Sequence, residues 1–299
     1  MINFVAPQLL VISTLFIGLV NLITPFVTKE DSKTRSAFLL IVSVLFLSNV
    51  LLLDCLFLSG IEARFILFDF GKYNIALHLE PLGMIFLTLL AVLWTCALLY
   101  TIKFLDINEI KNSNRFLFFV NCCVMVGSFI ALSANLFTMF IGYEILTLCT
   151  IPLIAHRNSK KISKELSNYL KILMLSGLIL FLPAIIIIYS EIGHGDFTLD
   201  GFIKGHFSDT HAIILLLMFI FGISKAAIYP LHGWLPAAMV ASYPVSALLH
   251  AVVVVKTGLF CIYKILCYVF GFVYLQSLFA DYNWLVILPI ITIIYSSIQ

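Results

Sequence analysis

The sequence predicts an all-α integral membrane protein of about nine transmembrane helices, the seventh of them broken. Composition is the first reason. Of 299 residues, 62% are hydrophobic and only 11% charged, and the mean hydropathy is +1.12. Soluble domains carry about 25% charged residues and cannot cover so much apolar surface. Patterning is the second, because apolar segments long enough to cross a hydrocarbon core of about 30 Å alternate with short polar connections. The third is the segment from about 211 to 242, which as one straight helix would measure roughly 48 Å, too long for a single crossing. Pro230 denies the carbonyl of Ala226 its i−4 donor, and Gly233 and Pro236 weaken the next turn. The break is therefore expected at Pro230, with Lys225 one turn before it.

Taken in order, span one is expected at 5–27 and is read as retained, since the first residues show neither a basic n-region nor a cleavage site. Span two covers 37–58, with Asp54 near its exit, and 59–78 is a mixed loop containing Arg64, Asp69 and Lys72. Span three opens at 79–83, where Pro81 suits the first helical position and Glu80 the positive helix end, and finishes near Tyr100. Span four follows at 116–134, then a tight connection at Ser133, Ala134 and Asn135, and span five at 136–155. Span six covers 169–190 and contains Pro183. The longest polar stretch, 191–209, leads to the broken segment. Span eight is placed at 244–270, and a ninth begins near Asn283. The whole forms a single transmembrane domain.

Loop charges give an orientation. The connections after spans one, three and five hold ten basic residues: Lys29, Lys33, Arg35, Lys103, Lys111, Arg115, Arg157, Lys160, Lys161 and Lys164. The other connections hold three, Arg64, Lys72 and Lys204. The basic side is expected to be cytoplasmic and the N-terminus outside.

Away from loops and span ends, four ionisable residues stand deep: Glu144, Lys225, Lys256 and His250. An ionised group at that depth costs several kcal/mol against lipid, so such residues face a bundle interior and mark ion routes. A broken helix is tolerated only where protein or internal water satisfies its freed carbonyls. The two signals coincide at Lys225. The plainer reading, a buried Glu–Lys pair that locks two helices, accounts for two groups where the sequence presents four. Buried ion pairs are also poor stabilisers, often replaceable by apolar residues without loss. Moving protons or small cations suits the set better. In general an amine loses proton affinity on desolvation and regains it beside a carboxylate, and histidine relays protons near neutral pH. His250 lies roughly 9 Å along the helix axis from Lys256. His232, just after the break, is a possible accessory group or a satisfied structural one. Thr147, Thr150, Ser224, Ser246 and Thr257 are placed to hold water between these groups or to bond their own helix carbonyls. Asp54 and Asp281 are expected at the interface, and Glu80 at a helix start.

Other chemistries find little support. The seven cysteines fall inside apolar runs without metal-ligand spacing, so buried free thiols are expected and no metal site. No nucleotide-binding glycine loop is present. Of the histidines only His250 is deep, whereas bis-histidine haem needs two that face each other. A haem- or quinone-binding redox subunit remains the alternative from another class.

The run from Lys225 to Met239, followed by Pro244 to Ala251, resembles the signature of the antiporter-like subunits of respiratory complex I and of multisubunit cation/proton antiporters. Residues 135–147, with Glu144, resemble that family's fifth helix, and 79–83 the start of its third in the variant nearest the antiporter D subunit. The resemblance implies one five-helix antiporter-like repeat at 116–270, three preceding helices within 1–115, and the start of a second repeat at 271–299. It further implies that Glu144 and Lys225 form a coupled pair and that Lys256, beside His250, continues a relay along the membrane midplane. The expected partners are other membrane subunits of such an assembly, H⁺ and Na⁺, in a bacterial inner (plasma) membrane. No NADH, flavin or iron–sulfur site is implied, and any electron transfer would belong to other subunits. Family members usually have two repeats. The second would come from a partner chain, unless this one is a fragment or a non-transporting remnant.

Overall fold

A computed structural model of the chain describes residues 2–27, 33–61, 63–108, 110, 112–155, 160–239, 241–279 and 284–298. The expected polar connections at 28–32 and 156–159 and the residue Asp281 lie outside the described residues. Two long helices, α1 (Ile2–Val27) and α2 (Lys33–Leu58), precede a two-stranded antiparallel hairpin, β1 (Arg64–Phe70) and β2 (Tyr73–His78). Next come α3 (Pro81–Ile107), α4 (Ser113–Ala131) and α5 (Leu136–Ile154). These helices pack in a continuous series, α1 on α2 and α4, α3 on α2 and α4, and α4 on α5.

The hairpin replaces the mixed loop expected at 59–78. Its register runs from Arg64 opposite His78 to Phe70 opposite Tyr73, with an irregularity between Ile66 and Phe68. Asp69 Oδ1 accepts the Gly71 N–H at 2.9 Å across the turn. Ile66, Phe68 and Phe70 project outward, while Ala76 and Leu77 are buried and tie the hairpin to the α4–α5 turn. The Ala134 N–H donates to the Ala76 carbonyl at 2.9 Å. Asn135 closes that corner: its Oδ1 caps α5 by accepting the Thr138 N–H at 2.8 Å, and its amide donates to the Asn74 carbonyl at 3.0 Å.

The second half is less regular. Helix α6 (Lys160–Ser176) passes through a π-helical stretch, Gly177–Phe181, into α7 (Leu182–Glu191). Helix α8 (Asp209–Gly222) is followed by two 3₁₀ turns, Ser224–Ala226 and Leu231–Gly233, and then by the short α9 (Trp234–Ala238). The last long span is built from α10 (Tyr243–Ala247), a π stretch at Leu248–Val252, α11 (Val254–Lys264) and a second π stretch at Ile265–Phe270. Two further helices, α12 (Phe272–Leu278) and α13 (Trp284–Ile298), follow. Single π turns concentrate at functional positions in helices, and two of these three adjoin residues singled out above, Glu144 and His250.

Among the described residues six helical segments are long and apolar enough to cross a membrane: Lys33–Leu58, Pro81–Ile107, Ser113–Ala131, Leu136–Ile154, Leu166–Glu191 and Tyr243–Phe270. Shorter apolar helices at Val11–Phe26, Asp209–Gly222 and Leu285–Ile298 occupy the places expected for spans one, seven and nine. The chain is an α-helical integral membrane protein, its outer faces lined by exposed aliphatic and aromatic side chains because lipid is as apolar as the core.

Candidate functional site

The break in the seventh span lies earlier than the proline rule places it. Helix α8 ends at Gly222, eight positions before Pro230, and Lys225 sits inside the break, in the 3₁₀ turn Ser224–Ala226. Ala227 then takes a left-handed conformation with φ 54°, and the Tyr229–Pro230 peptide is cis. The turn is tightly packed on both sides. Gly258 of α11 lies directly against this backbone, so close that a Cβ there would overlap Lys225 and Ala226, and Gly222 at the end of α8 abuts the backbone of Phe181. Trp234, fully buried, donates its indole N–H to the Ser224 carbonyl at 2.8 Å, and the Ser176 and Ser224 hydroxyls meet at 2.6 Å. The freed polar groups are thereby satisfied inside protein, as the bilayer requires.

Lys225 is 0% exposed. Its Nζ donates to the Tyr143 carbonyl at 2.9 Å and to the Thr147 hydroxyl at 2.6 Å, and lies 3.2 Å from the centroid of the Tyr143 ring. Its backbone N–H reaches the Tyr143 hydroxyl at 3.2 Å. The lysine is therefore docked on one face of α5 by a carbonyl, a hydroxyl and a π face, a set suited to an ammonium.

Glu144, the next residue on α5, is half-buried. Both carboxylate oxygens are shielded from solvent, with no protein donor in reach among the described residues. Its Oε1 occupies the space that Gly177 leaves open in the π stretch of the sixth span, where a Cβ would overlap it. Glu144 and Lys225 are close enough for each to feel the other's charge, yet they form no ion pair. Lys225 instead holds to the Tyr143 and Thr147 side of α5. A buried carboxylate without a partner is expensive, and here the two charged groups stand apart.

The remaining expected residues are more dispersed. His250 falls in the π stretch Leu248–Val252, partly buried, with a shielded Nε2 that has no hydrogen-bond partner among the described residues. Lys256 is partly exposed on α11, and Thr257 beside it is fully buried with an unpartnered hydroxyl. His232 lies in the second 3₁₀ turn, its ring 5.4 Å from that of Tyr295 on α13. Pro230, Gly233 and Pro236 all fall after the Lys225 turn, and Trp234 begins α9 between the last two.

Sequence reasoning missed two parts of the buried polar interior. Glu80 does sit at the N-cap position of α3, but its side chain caps nothing and reaches across to Lys264, 3.0 Å from Nζ. Lys264, near the end of the expected eighth span, is fully buried. The signal available was its depth, six positions inside the apolar run. Among the described residues no cluster of histidine, cysteine or acidic side chains has the geometry of a metal site.

A polytopic helical membrane protein with a buried lysine in a broken helix, packed on α5 close to the unpartnered carboxylate of Glu144, defines the class. The chain belongs to the NADH:quinone oxidoreductase/Mrp antiporter transmembrane family, whose sequence pattern matches residues 133–299. It is 26% identical over 194 residues to antiporter subunit mnhA2 of Staphylococcus haemolyticus (strain JCSC1435) and 28% identical over 196 residues to that of Staphylococcus aureus (strain JH9). Each alignment covers 64% of this chain and 24% of the relative, so the chain spans about a quarter of the length of the curated relatives it matches. Its fold is similar to a chain of the membrane-bound sulfane sulfur reductase, an archaeal respiratory membrane complex, with TM-score 0.70, 22% identity, and coverage of 84% of this chain and 40% of the other. It is likewise similar to a chain of the Mrp complex from Dietzia sp. DQ12-45-1b, with TM-score 0.67, 18% identity, and coverage of 86% and 27%. At these identities the structural likeness establishes the fold.

Proposed function

We propose that the chain is a proton- or monovalent-cation-translocating membrane subunit of a multisubunit antiporter or complex-I-like assembly, working through a relay of Glu144, Lys225, Lys256 and His250. The observation that carries this reading is the fully buried Lys225 in a helix break, beside the carboxylate of Glu144 that no protein group partners. Family membership supports it, as does the cost of the arrangement. A protein gains no stability from such charges, so their retention points to a task.

In this reading Lys225 has two positions. In one, its ammonium stays on the Tyr143 carbonyl and the Thr147 hydroxyl. In the other it swings to Glu144 and forms the ion pair. Each swing moves a positive charge within a low-dielectric interior, where a change of field is felt over a long range. Lys256 then gains or loses its proton in step, with His250 and internal water completing the path. The partners would be other membrane subunits, supplying the second repeat among them, and the ion H⁺ or Na⁺. The basic loops would face the cytoplasm of a bacterial inner membrane.

Ion flux into vesicles containing the chain in its native assembly tests this. Lys225→Ala and Glu144→Gln should each abolish most of the flux while the protein remains inserted and assembled. Flux at the wild-type level in both variants would overturn the proposal.

A further inference from the structure

Helix α11 carries a second fully buried lysine that this relay leaves unused. Lys264 Nζ donates to the Ser133 carbonyl, comes within 3.4 Å of the Ser133 hydroxyl, and stands 4.4 Å from the centroid of the Phe197 ring. Its ion partner Glu80 is also buried, with Oε2 3.0 Å from Nζ. The other oxygen of that carboxylate, Oε1, lies 3.4 Å from Nδ1 of His78. His78 ends β2, and its side chain is 28% exposed. Opposite it in the hairpin, Arg64 is engaged by Asp196 at 2.8 Å, so the imidazole and the Glu80 carboxylate face each other without competition from that guanidinium. Three ionisable groups in contact thus lead from the surface of the hairpin to the interior. Beyond them, Cys261 lies buried one turn before Lys264, on the same helix whose Gly258 abuts the backbone of Lys225.

We propose that His78, Glu80 and Lys264 form an access branch that passes protons between the hairpin face of the protein and Lys225. Inward transfer takes two steps that balance. The His78 imidazolium gives its Nδ1 proton to Glu80 Oε1, leaving neutral imidazole and a carboxylic acid. Rotation of the acid group then turns its O–H from the His78 side to the Lys264 side, where it gives its proton to the neutral Lys264 amine, restoring the carboxylate and forming the ammonium. The interval past Cys261 to Lys225 is crossed by water. A simple clamp between α3 and α11 is the competing account. A clamp has no need of a partly exposed imidazole on its carboxylate, and a buried ion pair is a weak clamp.

The branch rests on the reading of Lys225 as a translocating residue, and the two fail separately. In assembled protein in vesicles, His78→Asn should lower proton flux at least about tenfold, the order expected when a proton-transfer group is removed. The double variant Glu80→Gln with Lys264→Met, which removes both charges at similar volume, should do the same. Wild-type flux in both, with Lys225→Ala still inactive, overturns the branch alone. Wild-type flux in Lys225→Ala overturns the translocation reading on which it stands. Should the double variant fail to assemble, His78→Asn decides alone: at least a tenfold loss of flux in the assembled protein supports the branch, and wild-type flux with Lys225→Ala still inactive overturns it.

Discussion

Single side chains set the chemistry here, and the docking of Lys225 is the clearest case. A hydrogen bond to a charged group contributes about 1.5–3 kcal/mol, so Thr147→Val, which keeps shape and removes the 2.6 Å acceptor, is expected to cost about 2 kcal/mol of stability. Thr147→Ser should recover most of it. Denaturation of the purified protein checks this, and equal stability of all three forms would mean that the ammonium does not depend on that hydroxyl. Gly177 acts on the other member of the pair. A methyl group there would overlap Glu144 Oε1, so Gly177→Ala should displace the carboxylate and cut ion flux by about 10- to 100-fold, as small misplacements of reacting groups do. Normal flux in a folded Gly177→Ala protein would place Glu144 outside the transport path. Glu144 and Lys225 were legible in the sequence because charge at membrane depth is conspicuous. Tyr143 and Gly177 were not, since a tyrosine and a glycine in apolar helices announce nothing until a partner is placed against them. Lys264 was not among the deep residues singled out, although it pairs with Glu80 at the start of α3.

At the scale of elements, the order of the long helices follows from apolar length and turn signals; most bounds agree within a few residues, while α3 runs on to Ile107 past the end expected near Tyr100 and α6 starts at Lys160, ahead of the expected 169. The position of the break was set instead by tertiary packing. Pro230 marks a place where helix cannot easily continue, but α8 ends sooner, at Gly222, where Gly222 packs on the Phe181 backbone and Gly258 on Lys225 and Ala226. No pattern within residues 211–242 reveals those contacts. The hairpin was overlooked because short alternating strands, Arg64–Phe70 and Tyr73–His78, resemble a polar loop once spans dominate the reading. Its tie to the bundle is testable. Asn135→Ala removes the α5 cap and the bond to Asn74 together, and should lower stability by about 2 kcal/mol, the upper range for a cap. A change near zero would show that the hairpin and the α4–α5 corner hold without it.

The whole molecule is a lipid-facing bundle whose costly polar groups are gathered inside. Lys225, His250 and Thr257 present buried polar atoms within the second half of the bundle, Glu144 does so on α5 of the first half, and Glu80 pairs with Lys264 where the hairpin leads into α3. Integral-membrane class and family were therefore accessible from composition and motifs, whereas the path between charges needed three-dimensional placement. The central claim is that Glu144 and Lys225 operate as one unit. A double-mutant cycle on ion flux, using Glu144→Gln, Lys225→Ala and the pair together in the assembled protein, tests it most directly, because residues that act together give non-additive losses. The account predicts that the double variant is no slower than the slower single one. Losses that multiply independently, or single variants that transport normally, would contradict it.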